Sequence, residues 1–192
     1  MTRSVRIPEF GGPDVLPLLT PFRMGNLDLP NRIVMAPLTR MRAGSIDHVP
    51  TQLQADYYAQ RASAGLIVAE ATAISPDGFG WADTAGLWSA EQVRGWARVT
   101  DAVHAAGGRI LAQLWHTGAI SHPELRGGLQ PLSASDVDPL QVSVTPTGRK
   151  PTVSPRPMTR EEIRQTVADY ARAAHNAMAA GFDGVQILAN YL

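Results

Sequence analysis

No cysteine occurs among the 192 residues, which excludes disulfides, thiolate metal sites and thiol nucleophiles. Neither sign of charge is in excess: 17 basic residues stand against 17 acidic ones. Nothing therefore selects a polyanion such as nucleic acid or an anionic membrane surface. No stretch approaches the ~20 apolar residues of a membrane span. The opening "MTRSVRIPEFGGPDVL" lacks the apolar run of a secretion signal. These absences are what a cytoplasmic globular chain would show, and the length suffices for one good-sized core.

One pattern is present three times. "ASAGLIVAEA" (62–71), "HAAGGRILAQL" (104–114) and "MAAGFDGVQIL" (178–188) each pass from small residues through glycine into an apolar run. The spacing predicts a helix closed by a C-terminal glycine and followed by a buried strand. Plausible helices precede each unit. "TQLQADYYAQRASA" runs from behind Pro50 to Gly65, and the next begins at Ser89 with Gln92 three residues on. The third begins at Thr159 with Glu162, and both of these have capping-box spacing.

With an earlier strand over "RIVMAP" (32–37), strands and helices alternate, which predicts a parallel sheet covered by helices. No G-x-G-x-x-G follows a strand, which disfavours an open dinucleotide-binding sheet. A barrel is the preferred fold. Its inward face is expected to carry Ile33, Met35, Ile67, Val68, Leu111, Leu114 and Ile187. "FRMGNLDLPN" (22–31) reads as a small hairpin about Gly25-Asn26. The Pro- and Gly-rich connection 117–158 is long enough to be a lid, with a second hairpin in "LQVSVTPTGRKPTVS".

In a parallel barrel the active face lies at the C-terminal strand ends. Here these carry Pro37, Leu38 and Thr39; Glu70, Ala71 and Thr72; Gln113, Trp115 and His116; and Asn190 and Tyr191. Each alone has a structural explanation, such as a turn cap, a satisfied backbone group or a core aromatic. Together, uncharged hydrogen-bonding groups at four successive strand ends suit a planar, polar-edged ligand better than a phosphate or a metal. "HTGAISH" offers His116 and His122 but no supporting carboxylate, so no metal site is expected.

Four blocks carry a resemblance: "TPFRMGNLDLPNRIVMAPLTRMRA" (20–43), "LIVAEATAISPDGFGW" (66–81), "GLWSAEQVRGWARVTDAVHAAGGRILAQLWHTGAISH" (86–122) and "PLSASDV" (131–137). In this order they closely resemble the Old Yellow Enzyme family, the FMN-dependent ene-reductases. Residues 17–192 resemble the N-terminal half of these proteins, after an N-terminal arm over 1–16. The implied fold is the (β/α)8 barrel with about its first four β/α units present, and a lid hairpin around 131–157. Ala36, Pro37, Leu38 and Thr39 would lie against FMN, with Thr39 also facing the substrate and tuning the flavin at its O4 edge. Ala71 would pack beside the ring, and Gln113 would bond its pyrimidine end. Trp115 and Leu188 would face the substrate, and Asn190 and Tyr191 would be catalytic, Tyr191 as the proton donor. NAD(P)H would be the reductant and an activated small-molecule alkene of the enone type the acceptor.

The chain departs from that pattern at its last strand, where the family usually reads V-E-I-H-G-A-N-G-Y-L. "VQILANYL" is two residues shorter. Aligned from the left, Leu188 replaces the histidine that grips the substrate oxygen. Aligned from the right, Asn190 and Tyr191 keep their places without the intervening glycine. Either way the donor pair that polarises the alkene is altered. Ala119 likewise stands where many relatives have arginine. Half of a barrel that normally takes ~250 residues is expected to self-associate or to meet a complementary C-terminal half-barrel. The alternative is a non-catalytic half-barrel that binds flavin only after such assembly. A flavin-free aldolase-like barrel is disfavoured, because no lysine lies at a strand end and Lys150 falls in the lid.

Overall fold

The computed structural model describes residues 17–189. The expected arm over 1–16, and Asn190 and Tyr191, lie outside the described residues. A hairpin of β1 (Phe22–Met24) and β2 (Leu27–Leu29) leads in. Gly25, at φ +60°, makes its turn, a conformation that costs glycine nothing. The helical scaffold follows as β3 (Val34–Met35), α1 (Gln52–Ala59), β4 (Leu66–Ala73), α2 (Ala90–Ala105) and β5 (Ile110–Trp115). After a long excursion come α3 (Arg160–Ala179) and β10 (Gly184–Leu188). The excursion holds β6 (Leu132–Ser133), β7 (Val142–Thr145), β8 (Gly148–Pro151) and β9 (Arg156–Pro157). Strands β3, β4, β5 and β10 are neighbours in chain order and all parallel.

Local chemistry explains the boundaries. Ser89 and Thr159 accept from the amides of Gln92 and Glu162 at 3.2 Å each, and those side chains reach back to complete capping boxes. Gly107 (φ +81°) and Gly181 (φ +84°) end α2 and α3 in left-handed geometry, as the glycine pattern predicts. The first unit differs. Helix α1 stops at Ala59, and Gly65 has no left-handed turn to make. Its glycine is required by contact instead: a Cβ there would lie 2.1 Å from the backbone oxygen of Asn31. The first strand is also shorter than "RIVMAP", because only Val34 and Met35 pair with β4. A hairpin forms between β7 and β8, where "LQVSVTPTGRKPTVS" predicts one. Its base is closed by a parallel β6–β9 pair for which no apolar run gave a signal.

The core lies between sheet and helices. Ile67, Ala69, Ile110, Ala112 and Leu114 pack against Tyr58 of α1, Trp96, Val99 and Val103 of α2, and Ala173 and Ala177 of α3. Paired residues in a parallel sheet share a face, so Met35 (paired with Ile67) and Ile187 (paired with Leu114) belong to this helix side too. The expectation that Met35, Ile67, Leu114 and Ile187 face inward with Val68 and Leu111 is therefore wrong. Adjacent residues such as Ile67 and Val68 cannot share a face, and an apolar run buried on both sides conceals its own alternation.

Gly65 generates a stability prediction. Gly65→Ala should destabilise the chain by about 2 kcal/mol, read as a lowered urea midpoint at constant slope, because neither Asn31 backbone nor the β4 entry has room to give. An unchanged midpoint would show that the approach is looser than the structure has it.

Candidate functional site

The sheet face away from the helices is arranged in rows. Val68, Leu111 and Gly184 form one; Ala71, Gln113 and Gln186 the next; Ala73, Trp115 and Leu188 the last, at the C-terminal ends. What brings Ala71 into this array is an irregularity: the β4–β5 register shifts between Val68 and Ala71. One extra residue in β4 lets both Ala69 and Glu70 turn towards the helices, Ala69 into the core cluster and Glu70 against α1. Such bulges commonly re-aim side chains beside functional sites.

The rows carry no charge. Gln113 is buried and donates through Nε2 to Oε1 of Gln186 at 2.8 Å. Among the described residues nothing else bonds the Gln113 side chain, which leaves its carbonyl oxygen and one amide hydrogen to meet a ligand edge. Trp115 is buried, and Trp81 stands against it edge to face, with ring centroids 5.4 Å apart and planes at 87°. Ala36, Pro37, Leu38 and Thr39 follow β3 in a loop without ladder bonds, at the same end of the sheet. Thr39 is half-buried, and the next residue, Arg40, is tied to β4 through its backbone amide. The structure thus gathers Ala71, Gln113, Trp115 and Leu188 on one face, with the Thr39 loop beside them.

Glycines let the surrounding loops close. A Cβ on Gly80 would meet the Thr117 side chain at 2.2 Å. Thr117 bonds the Gly78 carbonyl through both its amide (2.9 Å) and its hydroxyl (2.8 Å). The β7–β8 hairpin docks on this loop through the Ala82 amide and the Val144 carbonyl at 3.0 Å. Arg126 reaches Asp77 at 2.9 Å, and Glu124 holds Thr147 at 2.7 Å and pairs with Lys150. Those two partners, Lys150 first, hold the Glu124 carboxyl down at about 2. Beside this hairpin lies a cavity of about 350 Å³ lined by residues that include His48, Phe79, Asp83 and Glu124. It is separate from the rows, since none of Thr39, Ala71, Gln113, Trp115 or Leu188 lines it.

Two ionisable strand-end residues do not face the site. Glu70 lies in the helix layer, and burial pushes its carboxyl up despite the donors of Gln54, Arg40 and Tyr58. His116 is buried with Nδ1 accepting from the Gly118 amide at 3.1 Å, while its own amide donates to the Tyr170 hydroxyl, also at 3.1 Å. Burial, aided by the Arg126 cation, lowers its pKa to about 4. Sequence reasoning missed Gln186 and Trp81. Alternation by two from Leu188 would have found Gln186; Trp81 left no signal beyond an aromatic among glycines.

The array fits the ring end of a flavin. Small side chains at Ala71 and Ala73 leave a flat patch, and Gln113 offers one acceptor and one donor to a pyrimidine edge. The strand residues on this face include no lysine or arginine for a phosphate. Among the described residues no helix is long and apolar enough to cross a membrane.

Residues 17–191 match the model of the NADH:flavin oxidoreductase / NADH oxidase family. The flavin oxidoreductase hxnT of Emericella nidulans is 45% identical over 175 residues, covering 89% of this chain and 45% of that protein. The 12-oxophytodienoate reductase 1 of Oryza sativa subsp. japonica is 43% identical over 175 residues, covering 90% and 44%. Among solved structures, the old yellow enzyme homologue from Zymomonas mobilis superposes with a TM-score of 0.85 at 49% identity, covering 88% of this chain and 47% of that one. Morphinone reductase superposes at 0.84 and 46%, with coverage of 88% and 47%. The chain spans about half the length of these relatives.

His116 gives the fold a pH signature. Its folded-state pKa of about 4 lies below the ordinary 6.5, so the neutral ring is what folding favours. Stability from this group is complete above about pH 6.5 and is lost as pH falls towards about 4, amounting to about 3 kcal/mol. His116→Asn keeps an acceptor for Gly118 and does not titrate. The stability difference between the two proteins should therefore change by that order across this window. A constant difference would mean that His116 is protonated without cost.

Proposed function

The chain belongs to the NADH:flavin oxidoreductase / NADH oxidase family, that of Old Yellow Enzyme, and its fold is the first half of the (β/α)8 barrel of that family; from this we propose that it supplies the flavin-ring and substrate side of an FMN-dependent ene-reductase. The observation that carries the reading is the register that sets Ala71 beside Gln113 and Gln186, one row below Ala73, Trp115 and Leu188. When bound, FMN would supply the redox chemistry of hydride transfer from NAD(P)H to the β-carbon of an activated alkene.

The chain's own residues bind, orient and exclude water. Ala36, Pro37 and Leu38 would back the ring, and Thr39 would donate to its O4 edge, where reduction increases negative charge. Ala71 would leave room for the ring plane, and Gln113 would pair with the pyrimidine edge using the groups Gln186 leaves free. Trp115, packed against Trp81, would wall the substrate. Leu188, in its row, cannot donate a hydrogen bond, so grip on the substrate oxygen would fall to Asn190 or to residues elsewhere. Tyr191 would deliver the proton to the α-carbon. Asn190 and Tyr191 enter only through their place in the sequence.

FMN binding tests this most directly. Gln113→Ala should weaken FMN by about 1–3 kcal/mol, the cost of an unpaired polar edge, while wild type oxidises NADH or NADPH in the presence of cyclohexenone. Unchanged affinity with a large fall in melting temperature would make Gln113 a core residue, and absence of any FMN affinity in wild type would remove the reading.

A second reading, of assembly, is favoured by the open edges. Among the described residues β3 and β10 pair on one side only, and Val34, Val185 and Ile187 are 53%, 38% and 61% exposed. Unpaired strand edges and bare apolar side chains drive association. Either a complementary C-terminal half-barrel or a second copy would cover them. The 192-residue polypeptide should run as a dimer or larger species in size-exclusion chromatography with light scattering; a folded monomer carrying one FMN would refute this.

A further inference from the structure

The catalytic reading leaves the buried carboxyl of Glu70 unused. Glu70 is fully buried at the C-terminal end of β4, turned into the helix layer by the register shift beside it. Its Oε1 accepts from Gln54 Nε2 at 2.8 Å and the Tyr58 hydroxyl at 3.3 Å; its Oε2 accepts from the Arg40 amide at 2.9 Å. The Met41 amide also faces it. Among the described residues no cation lies within salt-bridge distance of it.

Every one of these neighbours must donate. Gln54 cannot turn its amide round, because its Oε1 already accepts from the Thr51 amide at 2.9 Å in the cap of α1. The Tyr58 oxygen accepts from the Glu70 amide at 2.8 Å, which directs its hydrogen to the carboxylate. An amide in place of Glu70 would bring an N–H against another donor on one side or the other. Only an acceptor at both oxygens satisfies the cluster.

Burying a carboxylate without a counter-ion is costly, and a helix layer packs as well around an apolar side chain. What the carboxylate adds is a tether to the loop after β3. Residues 36–42 have no ladder bonds, and Met41 is held left-handed at φ +54°, a conformation that persists only where the surroundings impose it. Beyond Met35 the carboxylate is a fixed point one residue after Thr39. The Arg40 guanidinium, 4.6 Å over the Tyr57 ring, adds a second hold on α1.

We propose that Glu70 is a positioning residue, fixing the Thr39 loop against α1 so that the Thr39 hydroxyl is aimed at the flavin. This rests on Thr39 being a flavin contact, as read above. It also links neighbours in sequence: Ala71 makes the floor for the ring, while Glu70, on the other side of the same strand, sets the edge.

The test compares Kd for oxidised and reduced FMN in wild type, Thr39→Ala, Glu70→Gln and the double variant. A donor at O4 favours the reduced ring. Thr39→Ala should therefore weaken reduced FMN more than oxidised FMN. Glu70→Gln should do the same by about tenfold in the ratio, equal to about 30 mV for a two-electron couple, and the double variant should go no further than Thr39→Ala. If Glu70→Gln lowers the melting temperature but weakens both forms equally, Glu70 is structural only and the inference fails while the flavin reading stands. If Thr39→Ala leaves the ratio unchanged, the Thr39 reading fails and takes this inference with it. Should Glu70→Gln not fold, Tyr58→Phe removes one donor and keeps the ring; an unchanged ratio there overturns the proposal equally.

Discussion

The parallel pairing of β4 with β5 and of β5 with β10 is the constraint from which the rest follows. Each strand end is useful only in the position its neighbours allow, and side chains line up in rows because paired residues share a face. The rows are in step only because β4 carries one residue more than β5 between Val68 and Ala71. Without it Glu70 would occupy the row of Gln113, placing a carboxylate beside the amides, and Ala71 would turn into the helices. One insertion therefore separates a charged side chain from a neutral face.

That separation explains the polarity on each side. The face of the rows holds amides, small residues and an indole, groups that pair with a planar ligand without imposing a charge. The helix side holds the ionisable groups: Glu70 among its donors, and Asp183, which accepts from the Ile110 amide at 2.8 Å and meets His104 at 3.0 Å. The second cluster joins the end of α2 to the starts of β5 and β10, at the N-terminal side of the sheet. In barrels that end serves stability while the other serves chemistry.

How far this could be read from the sequence depends on range. Capping boxes at Ser89 and Thr159 and the glycine ends at Gly107 and Gly181 are local, decided within a few residues, and they are where the pattern puts them. The placement of Gln113 and Trp115 was legible for a similar reason: β5 is six residues long with a clear end. The faces of β4 were not. "LIVAEATA" is buried throughout, so neither alternation nor the extra residue shows in it. The fate of Glu70 depends on Gln54, Tyr58 and Arg40 meeting in space. The requirement at Gly65 is of the same kind: the pattern selects glycine there, but the reason is the Asn31 oxygen.

The long connection between β5 and α3 has an entropic side. Pairing Gln113 with Ala71 closes a segment little more than half as long as the 73 residues that separate Gln113 from Gln186. Loop-closure entropy grows only with the logarithm of length, about 0.6 kcal/mol for each doubling. Inserting a whole hairpin between β5 and α3 therefore penalises the last pairing by less than one ordinary hydrogen bond. The excursion can therefore lengthen, shorten or change its sequence at little entropic cost to the pairing of β10 with β5.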